Sequence, residues 1–79
     1  MFVVVSRDNC SFCNMSKDLI YLYNQNYREY NVETDSSKWI LSLLKKAGYT
    51  TVPQIYAPDG SYIGGYESLL TYMKENYNG

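Results

Sequence analysis

Hydrophobic residues recur along this chain with two different periods, one typical of strands and the other typical of helices. Residues 2–5 are continuously apolar, which suits a strand buried on both faces, and residues 27–33 show a weaker alternation that predicts a second strand. Apolar residues at spacings of three and four predict helices after each of these strands. The predicted order is β-α-β-α-β-β-α, with strands at 2–5, 27–33, 54–57 and 61–63 and helices at 11–24, 39–47 and 66–77.

This order of elements predicts an α/β fold in which a four-stranded mixed sheet is flanked by three helices, with helices on both faces. The opening strand–helix–strand unit gives a parallel pair. The late hairpin, with its Pro-Asp-Gly turn at residues 58–60, gives an antiparallel pair. In the first helix, the residues expected to face the core are Met15, Leu19, Ile20, Leu22 and Tyr23.

Length and charge limit the classes of protein to which the chain can belong. Seventy-nine residues predict a single domain, 1–79, which buries only about 60% of its unfolded surface. The net charge is −1 and there is no basic run, so no nucleic-acid partner is expected. The apolar start is too short to span a membrane and lacks the features of a signal peptide, so a reducing cytoplasm is expected.

The chemistry is concentrated in Cys10-Ser11-Phe12-Cys13, which contains the only two cysteines of the chain. The stretch follows a strand and opens a helix, where unpaired N–H groups and the helix dipole stabilise an anion such as a thiolate. Cys10 is nearest to that end of the helix, and Arg7 adds positive charge beside it. We therefore predict that Cys10 is the attacking sulfur and Cys13 the resolving sulfur, with the Phe12 ring partly exposed between them.

Other interpretations of the cysteine pair remain open at this point. A structural zinc site needs four ligands, and this chain has no histidine, so zinc would require carboxylates or a second chain. A structural disulfide over two intervening residues would remove little entropy from the unfolded chain. Two ordinary buried cysteines are the third alternative.

Pro53 is predicted to follow a cis peptide bond. The order of elements places the start of the third strand near the end of the first, beside Cys10. A cis bond there would turn the backbone N–H and C=O of Val52 outward, where an extended thiol peptide could pair with them as an added strand.

The pair Gly64-Gly65 stands immediately before the last predicted helix. Glycine permits close approach of a ligand to the backbone, and the start of a helix can bind a carboxylate. Glu67, in the first turn, could cap the helix or accept a hydrogen bond from a ligand amine.

Three motifs in order, C-S-F-C, T-V-P and G-G-Y, resemble those of the glutaredoxin family over nearly the whole chain. The run at residues 53–66, PQIYAPDGSYIGGY, looks especially like the small glutaredoxins of T-even bacteriophages, also called phage thioredoxins. The resemblance implies a thioredoxin fold and a dithiol reductase with glutathione as electron source. It also implies disulfide-containing clients such as ribonucleotide reductase, in the cytoplasm of the host cell if the chain is phage-encoded.

Carried over by motif, the resemblance implies two catalytic cysteines and a glutathione groove but no metal and no tightly bound cofactor. We expect a monomer. The family's usual C-P-Y-C is C-S-F-C here. Ser11 stands where the family usually has proline, and this change motivates an alternative, a dimer that binds a [2Fe–2S] cluster with glutathione. A thioredoxin-like protein reduced by thioredoxin reductase is the other alternative. The residues expected to contact glutathione are Arg7, Phe12, Val52, Pro53, Gly65, Tyr66 and Glu67.

Overall fold

The computed structural model describes residues 1–49 and 51–77, and its elements follow the predicted order. The first helix ends earlier than expected because Asn24 adopts a left-handed conformation (φ 59°), which the helix cannot continue through. No helix among the described residues is long and apolar enough to cross a membrane. The elements are β1 (Phe2–Ser6), α1 (Ser11–Leu22), β2 (Tyr27–Asn31), α2 (Lys38–Lys46), β3 (Gln54–Tyr56), β4 (Tyr62–Gly64) and α3 (Tyr66–Tyr77).

The strands form one four-stranded mixed sheet in the order β2-β1-β3-β4. β1 runs parallel to β2, with Phe2 opposite Tyr27, and antiparallel to β3, with Val5 opposite Gln54. β3 and β4 are antiparallel and are joined by the predicted turn, in which Gly60 has a φ of +90°. The predicted parallel and antiparallel pairs are both confirmed, and the start of β3 lies beside the end of β1.

Two hydrophobic clusters, one on each face of the sheet, hold the helices in place. Val4 and Val5 are neighbours in β1 and point to opposite faces, as successive strand residues do. The larger cluster joins the sheet to α1 and α3, and the smaller one joins it to α2. The larger contains Phe2, Val4, Ile20, Ile55, Leu69 and Met73, and the smaller contains Val5, Val32 and Leu44.

The predicted buried face of α1 is wrong at two positions. Met15 is 41% exposed and Leu22 is 74% exposed, although both fit the apolar spacing of the helix. The buried face instead carries Cys13, Ser16 and Ile20, with Leu19 and Tyr23 half-buried at its edge. Ser16 can be buried because its hydroxyl donates a hydrogen bond to the carbonyl oxygen of Phe12 at 2.7 Å.

Candidate active site

Cys10 lies at the start of α1, where the loop from β1 enters the helix. Asn9 has a left-handed φ of 54°, and Cys10 follows as the N-cap residue with extended backbone (φ −113°, ψ 102°). The backbone N–H of Cys13, which has no helical partner, donates to the Cys10 sulfur at 3.2 Å. The structure thus places the Cys10 sulfur where a helix end favours an anion.

The two cysteines form a disulfide across one helical turn, with their Cα atoms 5.2 Å apart. Cys13 faces the sheet and is only 1% exposed, whereas Cys10 is partly exposed at the surface. An external disulfide can therefore approach Cys10 more easily than Cys13. This difference in exposure is the one expected if Cys10 is the attacking sulfur and Cys13 the resolving sulfur.

The Val52–Pro53 peptide bond is cis, which confirms the prediction for Pro53. The carbonyl oxygen of Val52 lies 4.0 Å from the Cys10 sulfur. This proximity follows from the sheet, because the antiparallel pairing of β1 with β3 brings the residues before Gln54 next to the loop after Ser6. Backbone that could pair with an extended peptide therefore lies beside the disulfide.

A groove of about 320 Å³ extends from Val52 to the start of α3. It is lined by Phe12, Thr51, Val52, Pro53, Gly65, Tyr66, Glu67 and Ser68. The groove brings together all the residues expected to contact glutathione except Arg7. Sequence reasoning missed two residues of this lining: Thr51, the first residue of the T-V-P motif, and Ser68, which lies two residues after the G-G-Y motif. The Phe12 ring is largely exposed and lies 6.1 Å from the Tyr66 ring, so these two rings form one wall.

Arg7 lines a separate cavity of about 410 Å³ on the other side of Val52, called here the second cavity. Thr51 and Val52 belong to the walls of both the groove and the second cavity. A ligand that lies across Val52 can therefore have one end at Arg7 and the other at the start of α3.

A relay of two hydrogen bonds connects the Thr51–Pro53 loop to β3 and β4. The Tyr62 hydroxyl donates to Gln54 Oε1 at 2.5 Å, and Gln54 Nε2 donates to the carbonyl oxygen of Thr51 at 2.7 Å. Burial raises the pKa of Tyr62, and the neighbouring hydroxyls of Tyr49 and Tyr56 raise it further. This relay was not predicted, because it depends on the pairing of β3 with β4.

A second polar cluster lies between α1 and the sheet, one helical turn beyond Cys13. Glu29 Oε2 accepts hydrogen bonds from Ser6 Oγ at 2.6 Å and from Lys17 Nζ at 2.9 Å. Desolvation raises the pKa of Glu29, but the hydrogen bonds from Lys17 and Ser6 together outweigh it and hold this pKa below its ordinary value of 4.5. Glu29 is therefore ionised at neutral pH.

Known proteins with similar sequences and structures are glutaredoxins. The glutaredoxin family profile matches residues 2–63 of the chain. The glutaredoxin of Enterobacteria phage T4 is 33% identical over 94% of this chain and 100% of its own length. Reduced Escherichia coli glutaredoxin matches with a TM-score of 0.77 at 29% identity, covering 99% of this chain and 98% of that one. A buckwheat glutaredoxin–glutathione complex matches with a TM-score of 0.79 at 26% identity, covering 96% and 70%.

Proposed function

Because this chain belongs to the glutaredoxin family and shares its thioredoxin fold, we propose that it takes electrons from glutathione to reduce protein disulfides and glutathione mixed disulfides. The chain is a thiol–disulfide oxidoreductase, as the sequence motifs predicted. The observation that carries the proposal is the position of the Cys10 sulfur, 4.0 Å from the Val52 carbonyl at the end of the groove.

The reaction begins when the Cys10 thiolate attacks one sulfur of a substrate disulfide. The substrate S–S bond breaks, one substrate thiolate leaves and takes a proton from water, and a Cys10–substrate disulfide remains. In the dithiol route Cys13 then loses its proton and attacks the Cys10 sulfur, which releases the second substrate thiol and gives the Cys10–Cys13 disulfide. In the monothiol route the group on Cys10 is a glutathionyl group, and a second glutathione thiolate attacks its sulfur, which releases oxidised glutathione and the Cys10 thiolate. Two glutathiones supply the two electrons that return the protein to its dithiol form.

Glutathione has two carboxylates, and the surface offers a separate partner for each. The first N–H groups of α3, from Tyr66 onward, have no helical partners, and the residues that carry them line the groove. Arg7, across Val52, offers a cation for the other carboxylate. Glu67 lines the same groove, and its charge repels a carboxylate placed too close to it. Binding should therefore be modest and weakened by salt.

The proposed setting is a monomer in a reducing cytoplasm, with disulfide-containing clients such as ribonucleotide reductase. The dithiol form must be regenerated after each cycle, which requires a compartment that supplies thiol reductants. Cys10 is partly exposed, and its sulfur lies 4.0 Å from the carbonyl oxygen of Val52 in the wall of the groove, so a client can present its disulfide without the protein opening.

A glutathione-ligated [2Fe–2S] dimer is the second candidate, favoured by the exposed Ser11 beside Cys10 where the family usually has proline. Cys10 of each copy and two glutathiones would be the ligands, since Cys13 is buried. Protein purified anaerobically with glutathione should show visible absorbance and bound iron if this function operates, and should be colourless if the reductase operates alone.

The test of the proposed function compares glutathione with dithiothreitol as reductant for wild type and Arg7→Glu. The charge reversal should raise the glutathione concentration needed for half-maximal rate by about three- to tenfold, since exposed charge pairs contribute little each. The reaction driven by dithiothreitol should be unchanged, because this reductant has no carboxylate.

Arg28→Glu is the matched control, because Arg28 is an exposed cation on β2, outside the groove and the second cavity. Equal losses of Arg7→Glu with both reductants would place the role of Arg7 in the Cys10 thiolate instead. Absence of turnover at millimolar glutathione, with full activity from thioredoxin reductase, would refute glutathione as the electron source.

A further inference from the structure

The second cavity has mostly apolar walls, and it lies next to the cysteine pair across Val52. Leu41 and Tyr49 are each 37% exposed, so the fold leaves part of their apolar surface in contact with water. The cavity is lined by Arg7, Val32, Glu33, Leu41, Leu44, Tyr49, Thr51 and Val52. Its apolar wall is therefore large enough to take part in binding.

Two charged residues, Arg7 and Glu33, line the second cavity, and both are exposed. Glu33 Oε2 accepts a hydrogen bond from the backbone N–H of Asp8 at 2.6 Å, which fixes this carboxylate at the loop before α1. Arg7 takes part in none of the ion pairs found among residues 1–49 and 51–77. A ligand that enters beside Arg7 meets this cation, the Glu33 carboxylate and a wall formed by α2 and Tyr49.

Glutathione does not match this wall. In glutathione the residues flanking the cysteine are glycine, which has no side chain, and a γ-linked glutamate, whose chain ends in charged groups. The tripeptide offers Arg7 a carboxylate but has no apolar side chain to place against Leu41 and Tyr49. A polypeptide substrate, by contrast, can place a large apolar side chain there.

We propose that the second cavity binds an apolar side chain one or two positions from the cysteine of a polypeptide disulfide, and that Leu41 and Tyr49 select such clients. The proposal rests on the proposed function, because it takes from it that the cysteine of the substrate disulfide lies over Val52 and faces Cys10. Because an extended chain advances about 3.3 Å per residue, a side chain at either of these positions reaches a cavity that adjoins Val52. The occupant is a peptide segment of the client, in contact with the surface that already carries out the chemistry.

The test uses reduced protein and symmetric disulfides of short capped peptides, without glutathione. In each reaction the Cys10 thiolate attacks the peptide disulfide and one peptide thiol leaves. Cys13 then attacks Cys10 and releases the second peptide thiol, so one peptide disulfide is reduced for each protein dithiol oxidised. The peptides carry a central cysteine flanked by glycines, by leucines before it, or by leucines after it. Dithiothreitol reduction of each peptide corrects for its intrinsic reactivity.

At least one leucine peptide should oxidise wild-type protein about tenfold faster than the glycine peptide, the lower end of what one apolar group gains in a hydrophobic pocket. In Leu41→Ser this preference should fall to about threefold or less. Leu43→Ser is the matched control, because Leu43 is exposed on the same helix but does not line the second cavity. Leu43→Ser should keep the roughly tenfold preference for a leucine peptide over the glycine peptide.

Equal rates for the three peptides with wild-type protein would overturn the proposal. So would an equal loss of preference in Leu41→Ser and Leu43→Ser, because it would show that damage to α2, rather than the cavity, sets the rate. Since no step uses glutathione, these results are independent of the glutathione assay. A leucine preference with no use of glutathione would refute only the proposed electron source.

Discussion

Replacing Gly64 with alanine tests how the chain enters α3, whose first turn forms one end of the groove. Gly64 is the last residue of β4 and has a φ of +123°, which residues with side chains rarely adopt. An added methyl carbon would lie 3.0 Å from Ser68 Oγ and 3.1 Å from Ser68 Cβ. The hydroxyl can rotate away, but the Cβ is fixed to the helix backbone. The first turn of α3 must therefore shift.

The expected loss has two parts, the backbone strain and the steric contact. A side chain in this region of φ costs about 1–3 kcal/mol. A forced displacement of well-packed atoms costs about 1–3 kcal/mol more. We expect a total of about 3 kcal/mol, from a free energy of unfolding of about 4–12 kcal/mol for a chain of this size. The melting temperature should then fall by about 12–24 °C.

Urea unfolding followed by circular dichroism measures this loss, with Gly60→Ala as the matched control. Gly60 also has a positive φ, +90°, but no atom lies within 4 Å of the position a methyl group would take. Both variants restrict the unfolded chain equally and both place a side chain at a positive φ, so the difference between them reports chiefly the contact with Ser68. Gly64→Ala should be less stable than Gly60→Ala by about 1 kcal/mol or more. Equal losses would refute the packing described for the start of α3.

Two further predictions concern charge and the cysteines. Glu29→Gln should lower the free energy of unfolding at pH 7 by about 1 kcal/mol, since the hydrogen bonds to this partly exposed carboxylate are charge-assisted. Because the pKa of Glu29 is depressed on folding, its contribution is present above its ordinary value of 4.5 and is lost as the pH falls through the folded-state pKa. Urea unfolding at pH 7 and pH 3 checks this, with Asp18→Asn as control, and a pH-independent difference would contradict it. Cys10→Ser should abolish every thiol activity. Cys13→Ser should lose protein-disulfide reduction but keep some reduction of glutathione mixed disulfides, and loss of both would contradict the monothiol route.

The fold was predictable from the sequence because strand and helix periods alternate cleanly and the turns carry characteristic residues. The orientation of α1 was not predictable in the same way. Met15 and Leu22 follow helical spacing as well as the buried residues do, and spacing alone does not say which side of a helix faces the sheet. The buried side contains Ser16, a residue that polarity assigns to the surface until its hydrogen bond to Phe12 is known.

Some features of the site are set by neighbouring residues, and others by contacts between distant parts of the chain. The helix start at Cys10 depends on neighbouring residues, so a short motif indicated it. The cis bond before Pro53 was predicted from the order of elements, which places the third strand beside Cys10, together with the T-V-P motif. The relay from Tyr62 through Gln54 and the position of Leu41 depend on strand pairing and on the placement of α2. These follow from the three-dimensional arrangement and leave no signal in a single sequence.

The most direct test of the account is the relative rate at which the two cysteines of the reduced protein react with limiting iodoacetamide at pH 7. The Cys10 sulfur accepts a hydrogen bond from the backbone N–H of Cys13 at 3.2 Å and Cys10 is partly exposed, whereas Cys13 is 1% exposed. Peptide mapping should show Cys10 modified about tenfold faster or more. Equal modification, or faster modification of Cys13, would contradict the assignment of Cys10 as the attacking sulfur.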